Sequence, residues 1–457
     1  MNYRTYAEDV MSGKILAGHL VKLACQRYLD RLDGKYPNII FCPEKVDRVI
    51  NFVRHLKHTT DEHAGKNFEM LPWQVWLVAN LFGFYKKNDP EKRVTNTAYI
   101  QIGRKSGKTS LISALGLYFL TNEGMGQEID IVAPSAAQSA IGFKSASDYC
   151  DSINKHGIFD TLRTTIRFRA KKSVMKIMSS SSKFGDGFNS GLGILDEYHA
   201  FDTNDISNLI TSSMGMRKNP MMIYITTAGF NLFGPCKIMR DVCADILYGK
   251  KEDESMFAAI YELDEEDDPL EDSNCWIKAI PSLGQTVHDD YVYREIRKAK
   301  NNPSEMTNLL TKTFNKWVQS KEVWIPDKYI LSSMKKVDIS EIHTDDEVCY
   351  CGVDLASVED LCSATVLLPP NPDREFYPDK FILKTRCYIP EESVNLTLNC
   401  EIYKEAIRQG WLITTPGNVA DYDYITTDLL NLNDTCQIYR IAYDQWNSSQ
   451  WAIQCEQ

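Results

Sequence analysis

The 457-residue sequence has no uninterrupted apolar run long enough to span a bilayer, for which about eighteen residues are needed. Its first residues, Met1–Asp9, also lack the apolar core of a signal peptide, so secretion is not expected. The thirteen cysteines include no Cys-x-x-Cys pair. Their odd number and scattered positions favour free thiols in a reducing cytoplasm over a disulfide or zinc framework.

Basic residues are outnumbered, with 51 Lys and Arg against 62 Asp and Glu and a formal net charge of −11. A protein whose whole surface binds nucleic acid would be basic, but phosphate contacts need only a local basic face. One segment, predicted to form the two strands of a hairpin, is such a candidate, because it holds six basic residues and no acid: Arg163, Arg167, Arg169, Lys171, Lys172 and Lys176. A strand edge protected by lysines is the competing interpretation.

Residues 101–110 carry the most informative pattern in the chain. They read Gln-Ile-Gly-Arg-Lys-Ser-Gly-Lys-Thr-Ser, and they lie between an apolar strand pattern and a helical pattern. This arrangement is typical of a phosphate-binding P-loop, whose backbone amides and helix N-terminus surround phosphate groups. We expect Lys108 at the β- and γ-phosphates of ATP and the Thr109 hydroxyl on Mg²⁺. The other predicted nucleotide-binding residues of this loop are Gly103, Arg104, Lys105, Ser106, Gly107 and Ser110.

The loop departs from the usual P-loop pattern. The place of the first glycine, five residues before the Gly-Lys pair, is taken by Ile102, and Gly103 comes one residue late. Arg104 lies inside the loop and is predicted to stabilise transition-state charge as an arginine finger in cis. The alternative is an arginine held by a neighbouring acid. Arg217 is a weaker candidate, as a finger offered to a neighbouring subunit, and most loop arginines of this kind are merely solvated.

Polar residues end two further apolar strand patterns. Asp196 and Glu197 follow one of them, and the predicted roles are Mg²⁺ orientation through water for Asp196 and activation of the attacking water for Glu197. Two surface acids at a strand end are the lesser alternative. Thr226 or Thr227 ends the next strand and is predicted to sense the γ-phosphate, with a threonine-rich turn as an equal alternative. Gln74, before the P-loop strand, is a predicted adenine contact on a helix that would otherwise be assigned to core packing.

Alternating strand and helix patterns between 66 and 230 predict an α/β core with a parallel sheet. The predicted divisions are a helical segment at 1–62, an ATPase domain at 63–250, an acidic and helical linker at 251–340, and a second α/β domain at 341–457. Within the linker, eight carboxylates between Glu262 and Asp272 predict a solvated stretch.

The second domain has aspartates at or near predicted strand ends. Asp354 ends one strand, Asp360 follows six residues later, and Asp444 closes a later strand. Neighbouring strand-end carboxylates can hold divalent metals for phosphodiester cleavage, so Asp354 and Asp444 suggest a metal site. A two-metal site usually needs a further acid, and only Glu456 follows Asp444. The sequence stops within a predicted helix, so an incomplete domain is expected.

These motifs together resemble the large terminase subunit of tailed bacteriophages, the ATP-driven motor that packages double-stranded DNA. The resemblance covers nearly the whole chain and is carried by Leu71–Gln74, Gly103–Thr109, Ile194–His199, Ile225–Gly229, Asn315–Val318, Gly352–Ala356 and Ala442–Trp446. It implies a P-loop NTPase of the ASCE or RecA-like type followed by an RNase H-like nuclease that uses Mg²⁺ or Mn²⁺. The resemblance also supports Gln74 at adenine, Lys108 and Thr109 at phosphate and Mg²⁺, and Asp196 with Glu197 as the Walker B pair. It makes Thr226–Gly229 the coupling motif, and Asp354, Asp360 and Asp444 the metal ligands of the nuclease.

The resemblance further implies partners and a location. The partners are double-stranded DNA, a portal protein, a small terminase subunit and copies of the chain in a ring, expected to be a pentamer, on the prohead. The expected location is the host bacterial cytoplasm, with no membrane association and no place in the mature virion. The family has another acidic metal ligand near its C-terminus, which this sequence does not match, so little or no DNA cleavage by this chain is expected. The alternatives are a P-loop helicase or translocase outside packaging, and a prophage remnant with an inactive nuclease.

Overall fold

The computed structural model describes residues 2–58, 64–154, 157–180, 187–318, 330, 332–334, 347–356, 360–395, 400–434, 436–444 and 448–455. The chain divides into two compact units, 1–324 and 325–457. The predicted domain boundary at 340/341, part of the Ala442–Trp446 motif, and Glu456 and Gln457 lie outside the described residues. No helix in the described ranges is long and apolar enough to cross a bilayer.

The first unit begins with four helices and a small antiparallel sheet. The helices are α1 (Thr5–Met11), α2 (His19–Leu32), α3 (Pro43–His55) and α4 (Pro72–Phe82), and the strands are β1 (Ile39–Phe41), β2 (Phe84–Lys86) and β3 (Asp89–Arg93). Helix α4 starts where a proline is tolerated, since Pro72 occupies the first turn and its missing N–H would be unpaired there. Gln74 helps to cap the N-terminus of this helix, because its Oε1 accepts a hydrogen bond from Leu71 N at 2.9 Å.

An eight-stranded sheet forms the centre of this unit. Its strands are β4 (Thr97–Gln101), β5 (Glu128–Ala133), β6 (Phe159–Thr161), β7 (Thr165–Phe168), β8 (Ser173–Ser179), β9 (Ser190–Asp196), β10 (Met221–Thr226) and β11 (Met256–Ile260), in the order β11-β4-β10-β9-β5-β8-β7-β6. The six strands from β11 to β8 are parallel, and β7 and β6 continue the sheet antiparallel. The parallel α/β core and the basic hairpin predicted from sequence are both present.

Helices α5 (Lys108–Asn122), α6 (Ala136–Ile153), α7 (Asp205–Ser213) and α8 (Pro235–Leu247) connect these strands. Every residue of β9 and β10 is buried, as expected for central parallel strands covered on both faces. Strand β10 lies between β4 and β9, with Thr226 opposite Gln101 and Ile225 opposite Asp196. The carboxyl ends of β4, β9 and β10 therefore meet at one edge of the sheet, where ligands of open α/β sheets bind.

The segment after β11 packs into its own hydrophobic cluster. It contains α9 (Trp276–Ala279), α10 (Asp289–Asn301), α11 (Pro303–Asn308) and a π-helical turn at Leu309–Thr313. Trp276, Ile280, Val292 and Phe314 are buried in this cluster. Residues 262–317 therefore form a small folded body rather than an extended connection.

The prediction of a solvated acidic stretch is wrong for three of its carboxylates. Glu262 is paired with the Arg240 guanidinium, and it accepts a hydrogen bond from Gln101 Nε2 at 3.1 Å. Asp264 and Asp267 both bind the buried Lys278 ammonium, at 2.9 and 2.7 Å. A local count of acids could not reveal these cations, because Arg240 precedes the stretch and Lys278 follows it.

The second unit is built on a mixed sheet of five strands. These are β12 (Val348–Asp354), β13 (Cys362–Leu368), β14 (Ile382–Pro390), β15 (Leu412–Thr415) and β16 (Gln437–Tyr443), in the order β15-β14-β13-β12-β16. The helices are α12 (Cys400–Arg408), α13 (Tyr422–Asn433) and α14 (Ser449–Cys455). Burial alternates along β12 and β13, so one face of these strands contributes to the core. Strand β12 is antiparallel to β13 and parallel to β16.

Candidate nucleotide-binding site

The loop between β4 and α5 has the backbone that a phosphate cradle requires. Lys105 and Gly107 both adopt left-handed conformations, with φ of 67° and 81°. Gly107 is also the N-cap of α5, where its left-handed backbone favours glycine. The first N–H groups of α5 have no partner within the helix and are oriented as in anion-binding helix ends.

Lys108 is held inside this loop. Its side chain is 8% exposed, and its Nζ donates to the Ile102 carbonyl at 2.9 Å. Burial lowers the pKa of Lys108, and the nearby carboxylates of Glu197 and Asp196 oppose that shift. The ammonium therefore lies against the loop within the influence of the acid pair, and its contact with the terminal phosphates stays a prediction.

The displaced glycine has a structural explanation. Gly103 N donates to the Ala279 carbonyl at 3.0 Å, and Arg104 N donates to the Lys312 carbonyl at 2.9 Å. A Cβ on Gly103 would lie 2.5 Å from the Thr313 carbonyl oxygen and 2.9 Å from that of Ala279. Since both contacts are with backbone, neither can rotate away. Glycine is needed here because the 262–317 body packs directly against the start of the loop.

Asp196 and Glu197 stand at the same sheet edge as the loop. Asp196 is 8% exposed, and its Oδ1 accepts a hydrogen bond from Glu197 N at 2.9 Å. Burial and the neighbouring Glu197 charge raise the pKa of Asp196 to about 7, while the Lys108 ammonium opposes the rise. Glu197 has a left-handed backbone, with φ of 54°, which is uncommon outside glycine and is found at functional sites.

The donor atoms at this edge suit Mg²⁺. The Asp196 carboxylate and the Thr109 hydroxyl are hard oxygen donors, and Mg²⁺ in phosphate-binding sites usually takes one or two protein ligands beside water and phosphate oxygens. The buried Ser106 hydroxyl, with no hydrogen-bond partner among the described residues, adds a polar group to the loop. The residues present therefore fit a magnesium-bound nucleotide.

Thr226 and Thr227 are connected to the acid pair through His199. Thr226 Oγ1 accepts a hydrogen bond from His199 N at 2.9 Å, and it lies 3.0 Å from His199 Nδ1. The same ring nitrogen lies 3.3 Å from Glu197 Oε2 and 3.4 Å from Thr227 Oγ1. The strand-end threonines thus belong to a network with the predicted base, whereas sequence reasoning gave His199 no role.

Lys312 is a second residue that sequence reasoning missed. Its side chain, 7% exposed, places Nζ against His199 Nε2 and 3.3 Å from the Ala228 carbonyl oxygen. Burial, together with the charges of Arg104 and Lys108, lowers the pKa of Lys312 to about 8, while the Glu197 carboxylate opposes the shift. The only local signal is its position just before the Asn315–Val318 motif, where Asn315 Oδ1 accepts a hydrogen bond from Ala228 N at 3.1 Å.

The remaining nucleotide-site candidates are placed as follows. Gln74 is 3% exposed, and its Nε2 lies 3.8 Å from the Cβ position of Gly107, so it borders the loop. Arg104 and Lys105 are exposed, and Arg104 forms no ion pair with a described carboxylate. Arg217 is not merely solvated, because it donates to the Asn189 carbonyl at 3.1 Å and the Gly126 carbonyl at 3.0 Å. Its role as a finger stays a prediction, as does that of Arg104.

In the second unit, strand register places the three predicted aspartates at or near one edge of the sheet. Val353 is opposite Tyr443 in the parallel pair of β12 and β16, so Asp354 and Asp444 follow at neighbouring strand ends. Asp360 lies two residues before β13, which is antiparallel to β12 and has Ser363 opposite Asp354, so Asp360 is near the same edge. All three are exposed. Nowhere in the described part of the chain do three or more His, Cys, Asp or Glu side chains gather to hold a metal ion. The role of these aspartates as metal ligands stays a prediction.

The basic hairpin is partly neutralised. Arg169 is paired with Asp160 at 2.5 Å and Lys176 with Glu128 at 2.8 Å. Lys171 donates to the Glu123 carbonyl at 2.6 Å. Arg163, Arg167 and Lys172 are exposed, and each lacks an ion pair with a carboxylate in the described ranges. These three are the best candidates for contact with an external anion.

The first unit has a P-loop and an acid pair on a parallel sheet, and this combination defines an ATPase. The second unit, with its mixed sheet, is a further domain of the same chain. Two family models match these parts: the ATPase domain of the terminase large subunit over residues 72–243, and the endonuclease domain of the same subunit over residues 250–457. The chain belongs to the terminase large subunit family. The predicted fold class, a P-loop ATPase followed by an RNase H-like nuclease domain, is confirmed.

Individual relatives agree with this assignment. Protein YmfN of Escherichia coli K12 is 26% identical over 271 residues, which cover 58% of this chain and 59% of YmfN. The terminase large subunit of Lactococcus phage p2 is 22% identical over 448 residues, which cover 94% of this chain and 78% of that protein. The crystal structure of the bacteriophage HK97 large terminase matches with a TM-score of 0.52 and 21% identity, covering 90% of this chain and 82% of that one. That last similarity supports the fold alone.

Proposed function

We propose that the chain is the ATP-hydrolysing motor subunit that moves double-stranded viral DNA into a prohead, and that its second unit is a metal-dependent endonuclease that cuts concatemeric DNA. The observation that carries the motor proposal is the meeting of Lys108, Asp196 and Glu197 at one edge of the parallel sheet. His199 joins Glu197, which follows β9, to Thr226 at the end of β10, so the acid pair is connected to the neighbouring strand.

Each residue of this edge has a role in the proposed reaction. The first turn of α5 and Lys108 bind the phosphates of ATP, and Gln74 is the candidate adenine contact. Thr109 and Asp196 would hold Mg²⁺, which supplies charge neutralisation on the phosphate oxygens when bound. Glu197 takes the proton of the attacking water, while Arg104, exposed at the loop, is available to the γ-phosphate. Arg217 is proposed as a weaker candidate for a finger in trans.

The proposed setting follows the family. The partners are the portal protein, the small terminase subunit and further copies of the chain, arranged as a pentameric ring on the prohead in the host bacterial cytoplasm. In such a ring only the inner face has to be basic, so the net charge of −11 is compatible with DNA binding. The exposed cations of the hairpin are the proposed DNA contact within unit 1.

The DNA contact is tested by reversing two hairpin charges. In the double variant Arg163→Glu/Arg167→Glu, we expect the Kd for a DNA duplex of about 30 base pairs to rise at least tenfold, with the slope of log K against log salt reduced by about two. Arg163 and Arg167 are preferable to Lys171, whose contact with the Glu123 carbonyl is structural. The measurement is fluorescence anisotropy at several salt concentrations.

The matched control for this experiment is Lys250→Glu/Lys251→Glu. It makes the same change in charge just before β11, at the opposite edge of the sheet. We expect its salt slope to stay at the wild-type value. If the hairpin and control variants bind DNA equally well, the hairpin is not the DNA surface.

The endonuclease proposal is tested at the two neighbouring strand ends. With Mg²⁺ or Mn²⁺, Asp354→Asn or Asp444→Asn should lower the rate of plasmid cleavage at least about tenfold, because each removes one charged oxygen ligand. Asp379→Asn is the control, since Asp379 is an exposed carboxylate paired with Lys380. A wild-type chain that leaves plasmid DNA intact with both ions would contradict the proposal and favour a remnant with an inactive nuclease.

A further inference from the structure

Lys312 occupies an unusual place in the first unit. It lies on the π-helical turn Leu309–Thr313, and such turns are rare and often mark functional sites. Its ammonium is buried, yet no described carboxylate lies within ion-pair distance of it. Placing a charge there is costly, and an apolar side chain of similar length would fill the space more cheaply. Packing alone therefore does not account for this lysine.

The hydrogen-bond chemistry of Lys312 fixes the state of its neighbour. An ammonium group can only donate, so the contact with His199 makes Nε2 of that ring an acceptor. In the neutral ring the proton is then on Nδ1, which lies 3.3 Å from Glu197 Oε2 and 3.0 Å from Thr226 Oγ1. Lys312 thereby sets the imidazole tautomer that can donate to Glu197.

A second contact ties the same residue to the phosphate loop. The Lys312 carbonyl accepts a hydrogen bond from Arg104 N at 2.9 Å, and the neighbouring Thr313 carbonyl lies against Gly103. Asn315, with a left-handed φ of 54°, bonds both Ala228 N and the Tyr261 carbonyl. The turn and Asn315 thus contact both the loop that follows β4 and the segment that follows β10. The Lys312 ammonium contacts His199, which follows β9.

We propose that Lys312 is a positioning residue for ATP hydrolysis, which orients Glu197 through His199 and holds the start of the phosphate loop through its carbonyl. The inference rests on the proposed ATPase function and adds the 262–317 body to the hydrolytic site. A base oriented by a third group is a recurring arrangement in enzymes, and loss of the orienting group lowers turnover more than substrate binding.

The test compares Lys312→Met, Lys312→Arg and His199→Gln in steady-state ATP hydrolysis. Lys312→Met should lower kcat at least about tenfold while KM for ATP changes by less than about threefold. Lys312→Arg should recover most of kcat, because it keeps a buried donor cation. His199→Gln should resemble Lys312→Met, and the double variant should be no slower than the slower single variant, since both changes interrupt one path.

The control is Lys316→Met, four residues along, whose ammonium donates to the Asp267 carbonyl at 3.4 Å. It should hydrolyse ATP at the wild-type rate. A Lys312→Met variant with wild-type kcat, or one that loses only ATP affinity, overturns the inference. If Lys312→Met does not fold, as judged by circular dichroism, an unchanged kcat in His199→Gln overturns it instead. A wild-type chain with no ATPase activity would refute the proposed function itself, whereas an active wild type with active variants refutes only the role of Lys312.

Discussion

Glu197→Gln should abolish ATP turnover while leaving ATP binding nearly intact. We expect kcat to fall by about a thousandfold, within the range for loss of a general base, and the Kd for ATP to change by less than about threefold. The amide keeps the size of the side chain and can still accept from His199 Nδ1, but it cannot take a proton from water. The measurements are phosphate release and equilibrium binding of a fluorescent ATP analogue.

The control for this variant is Glu266→Gln, which changes an exposed carboxylate of the acidic stretch. It should keep wild-type kcat. Hydrolysis by Glu197→Gln at the wild-type rate would remove Glu197 from the role of base, and loss of ATP binding would show instead that its charge is needed to hold the site together.

Gly103→Ala should impair both the fold and the reaction. The added Cβ would lie 2.5 Å from one carbonyl oxygen and 2.9 Å from another, so backbone has to move. Forced packing changes of this kind cost about 1–3 kcal/mol in free energy of unfolding. We also expect kcat/KM for ATP to fall by about a hundredfold, since a displacement near 1 Å of a positioned group has that effect. Urea denaturation and steady-state kinetics measure the two effects.

Gly142→Ala provides the matched control. Gly142 lies within α6, and a Cβ there meets no atom within 4 Å. The substitution should raise the free energy of unfolding by up to about 1 kcal/mol, because alanine loses less backbone entropy in a helix. If Gly103→Ala is as stable and as active as Gly142→Ala, the close packing at the phosphate loop is wrong.

The sequence was sufficient to predict those features that depend on residues close together in the chain. The parallel strands were recognisable because each is a short apolar run followed by polar residues, and Lys108, Asp196 and Glu197 belong to motifs only a few residues long. The basic hairpin was also recognisable, because its cations lie close together in the sequence. Strand register then added what no motif contains, namely that β10 lies between β4 and β9 and brings Thr226 to the same edge.

The sequence was insufficient to predict contacts between residues that are far apart in the chain. Lys312 and His199 are 113 positions apart, and nothing near either residue indicates that they touch. Glu262, Asp264 and Asp267 were misread for the same reason, since their cations come from other elements. In the second unit, the metal-ligand roles of Asp354, Asp360 and Asp444 stay a prediction, because spacing along the sequence does not fix where the carboxylate groups lie.

The position of β11 has a practical consequence for isolating the motor half. The matches to the two family models meet between residues 243 and 250, which invites a recombinant fragment ending there. Such a fragment would lack β11, leaving the P-loop strand β4 as an open sheet edge with unpaired N–H and C=O groups. It would also uncover the phosphate loop where Ala279 and Lys312 now accept its N–H groups. A soluble, nucleotide-competent fragment should therefore extend through Trp317, whose indole N–H donates to Gln101 Oε1 at the end of β4.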